Sequence, residues 1–220
     1  MERDEELAAF VRAIDADNVE RVRGCLDTGL DINAMLTHTH GSYAHGTALH
    51  HAFESGARNV ARFLMERGAN VNVKGTYLGR TPIFQLVQQI RSGGVVLSGE
   101  DVFLRPPNPR FAELCERAQQ GRLENLRLLI SKGASVNVED EHGMTPLHFT
   151  VYDSKWYHTI NDAGHLIGGD TDDAAIEAAE LLLQNGANVN GGRGITPLRH
   201  ARLYNNHELA RLFESHGGKE

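Results

Sequence analysis

Cysteine is nearly absent. The 220 residues hold two, Cys25 and Cys115, far apart and in no CxxC pair. That excludes a disulfide framework and points to a reducing, cytoplasmic (intracellular) setting. Basic runs are absent too: 22 Lys and Arg stand against 29 Asp and Glu, for a net charge of −7. Nucleic-acid affinity comes mostly from neutralising phosphates with Lys and Arg, so DNA and RNA are excluded as expected partners. An anionic membrane surface is disfavoured for the same reason. No apolar run approaches the roughly 18 residues of a membrane span. The opening stretch, MERDEELAAF, lacks the basic-then-apolar layout of a signal peptide. The Gly-containing stretches GGRG (191–194) and SGGVVLSGE (92–100) neither follow a strand nor open a phosphate-binding helix, so no nucleotide or other cofactor is expected.

What is present is a repeat. LDTGLDIN (26–33), MERGANVN (65–72), ISKGASVN (130–137) and LQNGANVN (183–190) are four versions of one phrase. A second phrase follows each: GTALHHA (46–52), RTPIFQL (80–86), MTPLHFT (144–150) and ITPLRHA (195–201). Thr-Pro is a helix start, because Thr can cap and Pro at the first helical position loses no needed N–H. A short apolar helix follows, ended by a glycine such as Gly56 or Gly121. A second helix then carries apolar residues at 3–4 spacing, as in Val60, Phe63, Leu64 or Leu126, Leu129, Ile130. A glycine ends it at Gly68, Gly133 or Gly186. One such helix pair cannot bury its apolar face alone; stacked pairs can.

These phrases resemble the ankyrin repeat, whose pattern TPLHxAAxxGHxEIVxLLLxxGADVN has a period of about 33 residues. The stretch TALHHAFESGARNVARFLMERGANVN fits it without insertion, and RAQQGRLENLRLLISKGASVN fits its second two-thirds. The resemblance implies an all-α solenoid of helix-turn-helix units joined by short β-hairpin loops. It also implies that His50 and His148, fourth in their TPLH-type phrases, are structural, and that the concave face binds a protein.

The units are unevenly spaced. Gly29 to Gly68 is 39 residues, Gly68 to Gly133 is 65 and Gly133 to Gly186 is 53. The expected units are 4–33, 46–73, a degenerate 80–108, 109–138, 144–190 with an insertion at 154–173, and 195–217. In the degenerate unit a helix over TPIFQLVQQI gives way to a Gly- and Pro-rich loop. The first and last units read as caps.

Two stretches could carry chemistry. AMLTHTHGSYAHGTALHHA (34–52) holds five histidines. His38, His40 and His45 could approach a Zn²⁺-like ion, with His51 displayed beside them. The insertion 154–173 holds Trp156, Tyr157, His158, His165 and several aspartates, which suit acid–base or metal chemistry. The alternative function is therefore a metal-dependent enzyme, or a metal- or small-molecule-binding protein, using 37–51 or 154–173. Cys25 and Cys115 read as packing residues rather than nucleophiles.

The reading that weighs most is protein–protein recognition by a monomer without chemistry. Its partner, an unidentified protein or peptide, would meet the ends of the first helices and the hairpin tips. The expected contacts are Tyr43, Glu54, Tyr77, Leu78, Arg80, Gln88, Gln119, His142, Met144, Tyr152, Trp156 and Tyr204. Tyr and Met on rigid backbone make good interface anchors.

Overall fold

The structure is a computed structural model and describes residues 2–36, 46–92, 109–151 and 172–220. Ten helices occur among the described residues: α1 (Glu2–Asp15), α2 (Val19–Asp27), α3 (Ala48–Glu54), α4 (Arg58–Glu66), α5 (Pro82–Ser92), α6 (Pro109–Ser131), α7 (Pro146–Phe149), α8 (Asp172–Gln184), α9 (Pro197–Leu203) and α10 (His207–Ser215). They pack as consecutive pairs in two layers. The first helices, α1, α3, α5, α7 and α9, each touch the next of their layer, and α2, α4, α6, α8 and α10 do the same. This is an all-α solenoid. No strand occurs among the described residues; the hairpin loops are turns, with one bridge between Met35 and Thr47.

The starts of the helices follow the sequence logic. Asn18, Thr196 and Asn206 accept from the backbone N–H three residues on, at α2, α9 and α10. At α3 and α7 the histidine completes the cap. His50 Nδ1 accepts from the Thr47 N–H at 3.1 Å, and His148 Nδ1 from the Thr145 N–H at 3.0 Å. The other ring nitrogen reaches into the next unit, His50 Nε2 donating to the Arg80 carbonyl and His148 Nε2 to that of Ile195. Each ring thus fastens its own helix start and the following hairpin, the structural role expected of both.

The residue just before α4 is Ala57, whose side chain cannot cap it. Asp17, from the preceding unit, does so instead: its carboxylate accepts from the N–H of Val60 at 2.8 Å and from the side chain of Asn59. Asp17 itself holds a left-handed φ of 48°, where Gly56 stands at 74° one unit later.

A second ladder is made by the last asparagine of each phrase. Asn72 donates to Gly133 O and accepts from Ser135 N; Asn137 does so with Gly186 O and Asn188 N; Asn190 with Gly217 O and Lys219 N. Asn72 therefore clamps the turn at Gly133 directly, although 65 residues separate Gly68 from Gly133. In the described residues the stretch 80–138, expected to hold a degenerate unit and a full one, carries one helix pair, α5 with α6. The unexpected feature is α6. It runs unbroken through Gly121, where the sequence pattern predicts a helix end. Gly121 has no positive φ, and a Cβ there would meet the Arg58 guanidinium at 3.1 Å. Arg58 crosses that bare backbone to donate to the Arg117 carbonyl, so the glycine admits a neighbour rather than turning the chain.

The core is one continuous cluster through all five pairs, including Phe10, Ile14, Leu49, Leu64, Phe84, Leu126, Leu182 and Phe213. Each such side chain contributes about 1.5–3 kcal/mol by leaving water. At α9 the pattern changes. The positions filled by buried His50 and His148, and by buried Phe53 and Val151, hold exposed Arg199 and Arg202. Arg202 is bonded to Glu214 and Glu220. The last pair thus carries charged side chains where the earlier pairs bury imidazole or apolar ones.

Candidate partner-binding face

The first helices all end on one rim. At matching positions in their units stand Asp15, Glu54 and Gln88, each exposed. On α9 the exposed residue is Leu203, at 66%. Neighbouring rim positions are tied together. His51 Nε2 bonds Asp15 Oδ1 at 2.8 Å, Gln89 Nε2 donates to the Glu54 carbonyl at 3.0 Å, and Gln119 Nε2 donates to that of Ile90 at 2.8 Å. The rim is thus held by side-chain amides and an imidazole spanning successive helix ends, which fixes its shape before anything binds.

Along the hairpins, Tyr77 is half-exposed at 51%, and Leu78 holds a left-handed φ of 54° at the tip. The tips are zipped: Glu141 N donates to Leu78 O, and Arg193 N donates to Gly143 O. His142 is exposed and Met144 is half-buried against the core. Tyr204 is half-buried, its ring edge-on to His200 at 4.9 Å.

Three expectations need correction. Arg80, expected to face a partner, turns inward. Its guanidinium bonds the fully buried Asp140 side chain at 3.0 Å and lies over the Phe149 ring at 4.5 Å, leaving 16% of the side chain exposed. Gln119, expected among the first-helix ends, belongs to α6 and supports the end of α5. His51, expected on display, is 6% exposed in the bond to Asp15. Of the other expected residues, Glu54, Tyr77, Leu78, Gln88, His142, Met144 and Tyr204 have been placed above. Tyr43, Tyr152, Trp156, His38, His40 and His45 lie outside the described residues. Among the described residues no three His, Cys, Asp or Glu side chains gather as a metal site would require.

The buried histidines are electrically quiet. Burial pushes His50 and His200 down to about 4, for His200 with help from neighbouring His148, and burial also lowers His148. Both thiols are raised by burial, Cys25 and Cys115 alike, which disfavours the thiolate a nucleophile needs. Sequence reasoning missed Asp15. Its position seven residues after Ala8, like Glu54 seven after Thr47, was the signal, but α1 lacks the Thr that marks the register elsewhere.

Comparison with known proteins agrees with this geometry. The family model for the ankyrin repeat matches residues 46–76, and that for ankyrin repeats in many copies matches 114–153. Ankyrin repeats are thus matched at two stretches of the chain, 46–76 and 114–153. It is 24% identical to an L-asparaginase of Dirofilaria immitis over 199 residues, 87% of this chain and 29% of that protein. It is 32% identical to the palmitoyltransferase Hip14 of Drosophila melanogaster over 109 residues, 48% of this chain and 15% of that one. It is 35% identical to the ankyrin repeat and KH domain-containing protein mask of Drosophila melanogaster over 105 residues, 46% of this chain and 3% of that one. The chain thus spans less than a third of each of these relatives. Ankyrin repeats are in general protein–protein interaction modules. No helix among the described residues is long and apolar enough to cross a membrane.

Proposed function

We propose that this chain recognises a partner protein or peptide along the rim of its first helices and the adjoining hairpin tips, as a monomer within the cell and without chemistry of its own. The observation that carries this reading is a division between two sets of side chains. His50, His148, the three asparagines and Arg80 hold unit to unit. Glu54, Gln88 and Leu203 reach solvent at matching positions of the first helices, and Tyr77 and His142 reach it from the hairpins. A surface held rigid in advance loses little ordering entropy on binding. Tyr77 and Leu203 supply the apolar anchors and Gln88 a two-way hydrogen-bonding group.

Affinity capture with the full chain tests this. The Tyr77→Ala and Gln88→Ala variants are compared with Arg62→Ala on the second-helix layer. Capture of the same protein is expected to weaken about tenfold or more in the first two and to persist in the third. Equal capture by all four forms would remove the rim from consideration.

A further inference from the structure

We infer that the partner presents an acidic segment on extended backbone, with Asp or Glu two residues from a large apolar side chain, to the α9 stretch of the rim. Arg199 takes the carboxylate, and Leu203 with Ile195 takes the apolar group. This rests on the rim being the binding face and names the chemistry of what binds at that place.

The site follows from what the repeat does at one position. His50 and His148 each send Nε2 into the next hairpin, to the Arg80 carbonyl at 3.1 Å and to the Ile195 carbonyl at 2.9 Å. In α9 that position holds Arg199, which is exposed. Its guanidinium is held by no hydrogen bond or ion pair among the described residues. Arg199 borders an open hollow of about 470 Å³, whose other walls are Gly194, Ile195, Arg202 and Leu203. Leu203 is the most exposed large apolar side chain among the described residues. A free fork of donors and an uncovered leucine thus share one concavity.

The same hollow indicates which chemistry suits it. Arg202, also in its wall, holds the carboxylates of Glu214, at 2.6 Å, and of Glu220. Those bonds commit Arg202 to the fold and leave Arg199 to meet a partner. A guanidinium grips a carboxylate through two parallel hydrogen bonds, which a single backbone carbonyl cannot match. Leu203 lies four residues after Arg199, so the two Cβ atoms stand about 5–6 Å apart on one side of the helix. Side chains two residues apart on an extended segment share a face at about 6.6 Å, close to that spacing. The net charge of −7 does not oppose the fit, because at physiological salt charges beyond about 8 Å are largely screened.

The test uses the full ¹⁵N-labelled chain and three synthetic peptides of equal length, repeats of Glu-Ser-Leu-Ser, Lys-Ser-Leu-Ser and Gln-Ser-Leu-Ser. The Glu peptide is expected to shift the amide signals of Gly194, Ile195, Arg199 and Leu203, and to lose affinity as salt is raised. Arg199→Gln should weaken it about threefold, as loss of one exposed ion pair does, and Arg199→Glu about tenfold. Leu203→Ser should weaken it about threefold as well. Arg211→Gln, an exposed arginine of α10 in the other layer, should leave it unchanged. Equal affinity in Arg199→Glu, or an equal loss in Arg211→Gln, would overturn the proposal. If the Lys or Gln peptide moves the same signals with equal affinity, the rim remains a binding face and its acidic preference is refuted. If no peptide moves them, the proposal falls alone. The rim reading is decided separately, by capture through Tyr77 and Gln88, which lie outside this hollow.

Discussion

Arg80 and Asp140 join two successive hairpins through a 3.0 Å ion pair whose carboxylate is fully buried. Asp140 also accepts from the backbone N–H of His142 and of Met144, so one side chain shapes its own hairpin and holds the one before. Phe149, under the Arg80 guanidinium, makes an edge-on contact with Phe84 at 5.1 Å. The pair thus couples two hairpins to two helices.

Arg80→Met should cost about 3 kcal/mol, because it leaves a buried carboxylate without its cation. Asp140→Asn in the same chain should recover part of that. Urea unfolding of the two single variants and the double gives the coupling energy; fully additive losses would mean that the pair does not act as one unit.

Asn72→Ala should cost about 1–2 kcal/mol, since it removes a donor to Gly133 O and an acceptor for Ser135 N across the longest gap in the chain. Hydrogen exchange at Ser135 should quicken in this variant. Unchanged protection would mean that the turn at Gly133 is held by something else.

Gly121→Ala distinguishes an unbroken α6 from two helices meeting at a turn. In an unbroken helix alanine is favoured over glycine by up to about 1 kcal/mol, offset partly by the Arg58 side chain, whose far end can give way. A neutral or slightly stabilising result is expected by thermal unfolding. A loss of several degrees would indicate that the glycine turns the chain after all.

Stability should fall with acid before the carboxylates dominate. His50 and His200 titrate near 4 in the fold, and His148 is lowered, against an ordinary value of 6.5. Their folded values are depressed, so the contribution is complete above about 6.5. Below that pH the unfolded chain takes up protons that the fold refuses, at up to roughly 1.4 kcal/mol per pH unit and per ring. For His50 and His200 the loss levels off near 4, where the folded rings protonate as well. Chemical denaturation at pH 7.5, 6 and 5 measures this slope, which should be shallower in His50→Gln. A flat profile from 7.5 to 5 would contradict it.

The architecture is legible in the sequence because its determinants are local and repeated. Thr-Pro starts, closing glycines and 3–4 apolar spacing recur in register, and the helices over 82–92 and 172–184 follow them. The role of Gly121 is not legible there, because glycine has two uses: it permits left-handed backbone, and it admits a close neighbour. Only the position of Arg58, 63 residues away in sequence, separates them. Arg80 and His51 escape the sequence pattern for a related reason. Their partners, Asp140 and Asp15, lie 60 and 36 residues away, and nothing in the local pattern announces them.

The most direct measurement is photo-crosslinking from within the face. The full chain carries benzoylphenylalanine at Gln88 on the rim or, as a control, at Glu124 on the opposite layer, and is irradiated in extract of its native cells. An adduct with one discrete protein from position 88, competed by unlabelled wild-type chain and absent from position 124, is the predicted result. The same adduct from position 124 and none from position 88 would contradict it.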